Sequence, residues 1–379
     1  MRKIIIFISV LMICISCLQQ ETNKTNYTVL DEKERATFRD ELLADRFDNL
    51  LPQLMDATAI DMWIVISREY NEDPVMKTML PSVWLNARRR TILVFYRDKA
   101  KNTIEKLAVA RYDIGTNIKP AWDKEKEPNQ WNALYKIIAE RNPKKIGINM
   151  SEHFALADGL VKTDYDAFYK NLPQTDRKKL VSAENLAIAW IETRTKKEMK
   201  IYDELVQITH DIIDEAFTEK VIIPGKTTTD DVVWWMRQKV TDLGLETWFH
   251  PTIDLQRSKV PLKSHIYSFT KGEKGNVILA GDLLHCDFGI TYLGLNTDCQ
   301  QHAYVLQKEE KQVPSFLSKA FEKGNRLQDI LTGNFVAGKT GNDILANSLA
   351  QAKKEGLKPS IYTHPLGLFG HSAGTTIGM

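Results

Sequence analysis

The chain has 379 residues, 43% apolar and 26% charged, proportions that exclude a disordered, collagen-like or disulfide-scaffold protein. Its 51 basic and 49 acidic residues leave a formal charge of +2, which provides no overall field for nucleic acid, so none is expected as a partner. Such a length predicts two or three domains of ordinary size.

Arg2 and Lys3 precede an apolar run over residues 4–15 that only Ser9 interrupts. As a helix this run rises about 18 Å, short of a bilayer core of about 30 Å. It reads as a secretory signal over residues 1–16. Ser16-Cys17, followed by the polar stretch Gln19-Gln20-Glu21-Thr22-Asn23, resembles a bacterial lipoprotein signal, although Cys14 stands where a leucine is commoner. The resemblance implies that Cys17 becomes the lipidated first residue, that residues 17–30 form a polar tether, and that the protein is exported to the cell envelope. Its partner there would be the bacterial membrane, through the lipid. Removing residues 1–16 leaves 49 basic against 49 acidic residues.

The body begins with a charged, helix-favouring stretch over residues 31–46. Residues 60–67 and 91–96 read as buried strands, and residues 106–111 as a shorter one. A helix is predicted over 129–141 and a strand over 145–149, with Pro143 at the connection. Strands alternating with helices predict an α/β domain. Further on, Ile201, Leu205, Ile208, Ile212 and Ala216 recur at helical spacing. Pro224-Gly225 ends that segment. Thr228 and Asp231 form a capping-box pattern ahead of a helix predicted over 229–243, with Gly244 as its stop. Trp234 and Trp235 on that helix read as packing residues. The domain boundary is placed at 186/187.

The chemistry is expected after residue 277. Residues 277–289 run apolar and then become acidic at Asp287, and Asp298 follows eleven residues later. Aspartate is depleted from strands, so each needs a reason. Two strands around a turn near Leu293-Gly294 would bring the carboxylates together. Either they share cations, or one caps a turn while the other is exposed. His364 and His371 lie seven residues apart in a glycine-rich frame, and Pro365 favours an extended backbone at His364.

Taken together, Asp287-x-Gly289, Asp298 and His364-x-x-Gly367-x-x-x-His371 resemble the creatinase and aminopeptidase P group of pita-bread metallopeptidases. Arg194-x-x-Lys197-Glu198 and Pro224-Gly225-Lys226-Thr227 add to that likeness. The resemblance implies a creatinase-like α/β domain over 31–186, then an α+β pita-bread domain over 187–379. It also implies that Asp287, Asp298 and His364 ligate two divalent metal ions. Mn²⁺ suits the oxygen-rich set, with Co²⁺ and Zn²⁺ as alternatives. His371 would contact substrate or the tetrahedral intermediate. A further histidine before the first aspartate would be His265, with His250 as runner-up. The activity implied is removal of an N-terminal residue from peptides of the Xaa-Pro type, with a prolidase-like dipeptidase or a non-catalytic peptide-binding lipoprotein as alternatives. Family members often form homo-oligomers.

The chain departs from the family pattern in two places. Cys299-Gln300-Gln301-His302 stands where a Thr-Arg-Thr-like stretch usually follows the second aspartate. Two ligand glutamates expected well after the second histidine are also absent, since the last glutamate is Glu355. The expectation is a pita-bread domain lacking its C-terminal strands, a truncated copy or partial record of a longer enzyme. The 379-residue chain would then bind metal poorly and be inactive. Cys286 and Cys299 flank the two aspartates symmetrically. If the aspartates face each other across an antiparallel pair, the cysteines do too, which allows a cross-strand disulfide. Two small buried residues are the alternative. Arg88-Arg89-Arg90 reads as a solvated or ion-paired turn or as a contact for a substrate carboxylate.

Overall fold

A computed structural model describes residues 29–257 and 276–378. Helix α1 (Glu32–Asp45) starts at a capping box between Asp31 and Glu34. It continues through a π turn (Arg46–Leu50) into α2 (Leu51–Thr58), where Pro52 sits in the first turn and needs no donor. Strands β1 (Met62–Arg68), β2 (Arg90–Asp98) and β3 (Thr103–Val109) pair antiparallel. β4 (Lys119–Pro120), β5 (Ile146–Ile148) and β6 (Leu180–Ser182) extend the sheet in parallel pairings, giving the order β4-β3-β2-β1-β5-β6.

Both faces of this sheet are covered, which explains why β1 is buried at six successive positions. Trp63, Val65, Leu93 and Phe95 pack with Phe47, Leu51 and Met55. Ile64, Ile66, Ile92 and Val94 pack on the other side against α4 (Gln130–Arg141) and α5 (Lys162–Asn171). Helix α7 (Glu184–Glu192), which spans the 186/187 boundary, places Leu186, Ala187, Trp190 and Ile191 in the first of these cores. Two four-residue helices, α3 (Pro74–Lys77) and α6 (Gln174–Arg177), serve as connectors.

The second half opens with α8 (Lys196–Ala216), which buries Ile201, Leu205, Ile208, Ile212 and Ala216, the predicted stripe. α9 (Thr229–Asp242) carries the expected Thr228–Asp231 capping box. These helices pack on an antiparallel sheet of order β11-β8-β7, made from β7 (Thr252–Gln256), β8 (Leu283–Phe288) and β11 (Cys299–Tyr304). A small hairpin, β9 (Thr291–Tyr292) and β10 (Leu295–Asn296), joins the last two. Helices α10 (Ser315–Gly333) and α11 (Gly341–Lys354) follow, and α10 buries only Ile330.

The two halves are tied by a buried ion pair. Arg46 meets Glu198 at 2.9 Å, donates to the Trp190 and Thr193 carbonyls and lies over the Trp190 ring. The mixed α/β fold and its second α+β part are those expected.

Candidate functional site

Strand β8 alternates strictly. Leu284, Cys286 and Phe288 face the helices, while Leu283, His285 and Asp287 stand on the open face. Leu293 and Gly294 then make the expected turn, with φ of 56° and 79°, the mirror-image turn that suits a two-residue hairpin. This turn fixes the register of everything beyond it. Asp287 lies opposite Gln300 on one side and Thr252 on the other. Asp298, in the short gap between β10 and β11, is therefore displaced from Asp287 rather than directly opposite it.

That register corrects the disulfide expectation. Cys286 faces Gln301, Cys299 faces Phe288, and both thiols are free. The symmetric pairing failed because the turn centres on Leu293-Gly294, two residues out of step with a pairing of the aspartates. Burial raises the Cys286 thiol pKa strongly and pushes that of Cys299 up to about 11, so neither is a poised nucleophile.

The carboxylates nevertheless meet. Burial, then the charge of Asp298 and a hydrogen bond to it, push the Asp287 pKa up to about 6. Asp287 Oδ1 is buried and has no hydrogen-bond partner. The residue before Asp298 is firmly held: the Thr297 carbonyl accepts from Trp248 Nε1 at 2.7 Å, and its hydroxyl meets Thr209 Oγ1 at 2.8 Å.

His364 Nε2 stands 3.2 Å from Asp298 Oδ2, and its Nδ1 is 3.0 Å from the Pro365 carbonyl oxygen. A carbonyl only accepts, so that contact puts the proton on Nδ1. In the neutral ring Nε2 then turns a lone pair toward a carboxylate, an arrangement that a proton or a cation between them makes favourable. His371 packs edge-on to His364 at 4.6 Å and to Trp248 at 5.1 Å. The glycine frame has a steric cause here: a Cβ at Gly370 would collide with the Trp248 ring.

Asp287, Asp298, His364 and His371 therefore come together. His250 does not join them; it lies against Trp234, at 5.4 Å, and Arg237. His265 and Cys17 lie outside the described residues. Three neighbours on the open face were not anticipated. Asp254, His285 and His302 stand side by side across β7, β8 and β11, with the two imidazoles 4.9 Å apart. Strand alternation from Asp287 places His285 on its face, and the corrected register adds the other two.

Among the described residues, no three His, Cys, Asp or Glu side chains are gathered closely enough to enclose one ion. In kind, however, the donors fit a divalent cation: an orphaned buried carboxylate oxygen, a second carboxylate beside it, and an imidazole nitrogen with its other nitrogen tied to a carbonyl.

No protein-family model and no curated protein matches the sequence. Solved structures do match. An X-Pro aminopeptidase from Thermotoga maritima is similar with a TM-score of 0.61 at 12% identity, over 85% of this chain and 84% of that one. An Xaa-Pro dipeptidase from Bacillus anthracis gives 0.56 at 17% identity, over 90% and 84%. A dipeptidase from Pyrococcus horikoshii gives 0.53 at 18%, over 86% and 84%. The chain thus has the fold of the Xaa-Pro aminopeptidases and prolidases, the pita-bread fold behind a creatinase-type domain.

Proposed function

We propose that this protein is a metal-dependent aminopeptidase of the Xaa-Pro type, tethered in the cell envelope through a lipid on Cys17. The observation that carries the reading is that Asp287 meets Asp298, and Asp298 meets His364, while one Asp287 oxygen is left unpartnered, on a fold shared with Xaa-Pro aminopeptidases and dipeptidases. Asp287, Asp298 and His364 would hold divalent metal, with Mn²⁺ the best match to an oxygen-rich set and Co²⁺ or Zn²⁺ as alternatives. When bound, such ions polarise a peptide carbonyl and acidify water at neutral pH.

The chain's own groups do the rest. Asp287 and Asp298 concentrate negative charge where the cations are needed. Trp248 braces both His371, through an edge-to-face ring contact, and the backbone ahead of Asp298, through its indole nitrogen. His371, in edge-to-face contact with Trp248 and with His364, would donate to a carbonyl oxygen as charge develops on it. His265 is proposed as a second donor.

The test is hydrolysis by the native protein extracted from its source cells with detergent. Mn²⁺-dependent release of the first residue from Xaa-Pro tripeptides supports the reading. Cleavage of Xaa-Pro dipeptides alone would favour a prolidase-like enzyme. Peptide binding without cleavage of either would replace the enzyme with a binding lipoprotein. Retention of a Cys17→Ser variant in the membrane fraction would contradict the anchor.

A further inference from the structure

A second site lies in the first half of the chain, apart from the carboxylates. Register alone aligns three arginines at one end of the sheet. Arg68 on β1 lies opposite Arg90 on β2, and the β2–β3 pairing, continued two residues past Ile92 and Val109, brings Arg111 beside Arg90. All three extend the strand face that α4 and α5 cover. They line a cleft of about 620 Å³ with Arg89, Lys124, Trp122, Pro128 and Gln130.

Among the described residues, no acidic side chain lines this cleft. Among the described residues its inner counter-charge is Asp164 on α5, fully buried, which accepts from Arg68 at 2.8 Å and from Arg90 at 2.9 Å. Asp164 thus holds two guanidinium groups in place while cancelling one charge. Gln130 ties the floor together by donating to the Arg90 and Val109 carbonyls. Three guanidinium charges against one carboxylate leave two positive charges unbalanced. At the rim, Arg89 and Lys124 make only loose, exposed pairs with Glu69 at 4.0 Å and Glu125 at 3.5 Å, and both can turn to a ligand.

We propose that this cleft binds a phosphate monoester. The dianion, carrying a charge of about −1.5 to −2, matches the two unbalanced positive charges, and arginine forks suit its oxygens. A lone phosphate would leave most of the cleft empty, and its size falls within the small-molecule range of about 300–1,000 Å³. Trp122 and Pro128 supply the apolar wall for the rest of the molecule. The phosphoryl group belongs to a soluble ester or to a lipid headgroup.

Calorimetric titration of the full chain with phenyl phosphate, at low ionic strength, tests this. One saturable site is expected. Arg111, an exposed side chain, should fold normally as Arg111→Gln, checked by its melting temperature, and should bind about tenfold more weakly for loss of one charge-assisted hydrogen bond. Benzoate, flat but singly charged, should bind at least about tenfold more weakly than phenyl phosphate. No saturable binding of phenyl phosphate, undiminished binding by Arg111→Gln, or equal affinity for benzoate would overturn the proposal. Once phenyl phosphate binding is established, phosphatidic acid vesicles identify the source. Retention that Arg111→Gln weakens points to a lipid, and no retention, or retention that it leaves unchanged, points to a soluble ester.

Discussion

Replacing Asp287 by asparagine should stabilise the metal-free protein at alkaline pH and leave it unchanged at acid pH. The Asp287 pKa rises from 3.8 to about 6 on folding, first through burial and then through the charge of Asp298. Below the unfolded value both states carry the proton, and the group costs nothing. As pH climbs through the window from 3.8 to about 6, the folded state must give up a proton that the unfolded state has already lost, so stability falls. Two units would be worth about 3 kcal/mol at 1.36 kcal/mol each. Asp287 is only half-buried, so solvent screening reduces this to roughly 1–1.5 kcal/mol. Asparagine has the shape of the protonated acid without its titration. Urea unfolding of both full chains in EDTA, at pH 8 and pH 3, should give a variant more stable by that margin at pH 8 and nearly equal at pH 3. With excess Mn²⁺ at pH 8 the order should invert, because only the wild type gains from binding. Equal differences at both pH values, or a wild type that is the more stable at pH 8 in EDTA, would refute the reasoning.

Glu198→Ala should cost about 3–5 kcal/mol in denaturant unfolding, since it strands the buried Arg46 charge at the junction of the two halves. A loss below about 1 kcal/mol would mean that the Trp190 and Thr193 carbonyls alone satisfy that guanidinium. Gly370→Ala should overpack the Trp248 ring and destabilise by about 1–3 kcal/mol, with a changed near-ultraviolet circular dichroism signal. Cys286 and Cys299 should alkylate slowly with iodoacetamide in the native protein at pH 8 and rapidly in urea, as peptide mapping would show. Prompt native labelling at Cys286 would contradict its burial.

Much of the fold was legible because single segments carried strong local signals. The run Met62-Trp63-Ile64-Val65-Ile66 is apolar throughout since β1 is covered on both faces. The stripe on α8 and the Thr228–Asp231 box are equally local. Helix α2 was not legible, because Pro52 reads as a breaker until the π turn before it places it in a first turn. Helix α10 buries a single residue and has correspondingly little pattern to read. At the site, Asp287, Asp298, His364 and His371 could be picked out by residue type and spacing, but their register could not. It depended on whether the hairpin turned at Leu293-Gly294 or was centred between the aspartates, and a two-residue difference decided which side chains face Cys286. Trp248 carried no sequence signal at all. Its role follows from two contacts distant in the chain, the Thr297 carbonyl and the His371 ring.

The most direct test of the metal-centre claim is a titration of the 379-residue chain with Mn²⁺, followed by the relaxation of water protons. Saturable binding is predicted, weak for a set of two carboxylates and one imidazole, and reduced at least about tenfold by each of Asp287→Asn, Asp298→Asn and His364→Ala. Binding that survives all three substitutions undiminished would contradict the assignment and place the metal elsewhere.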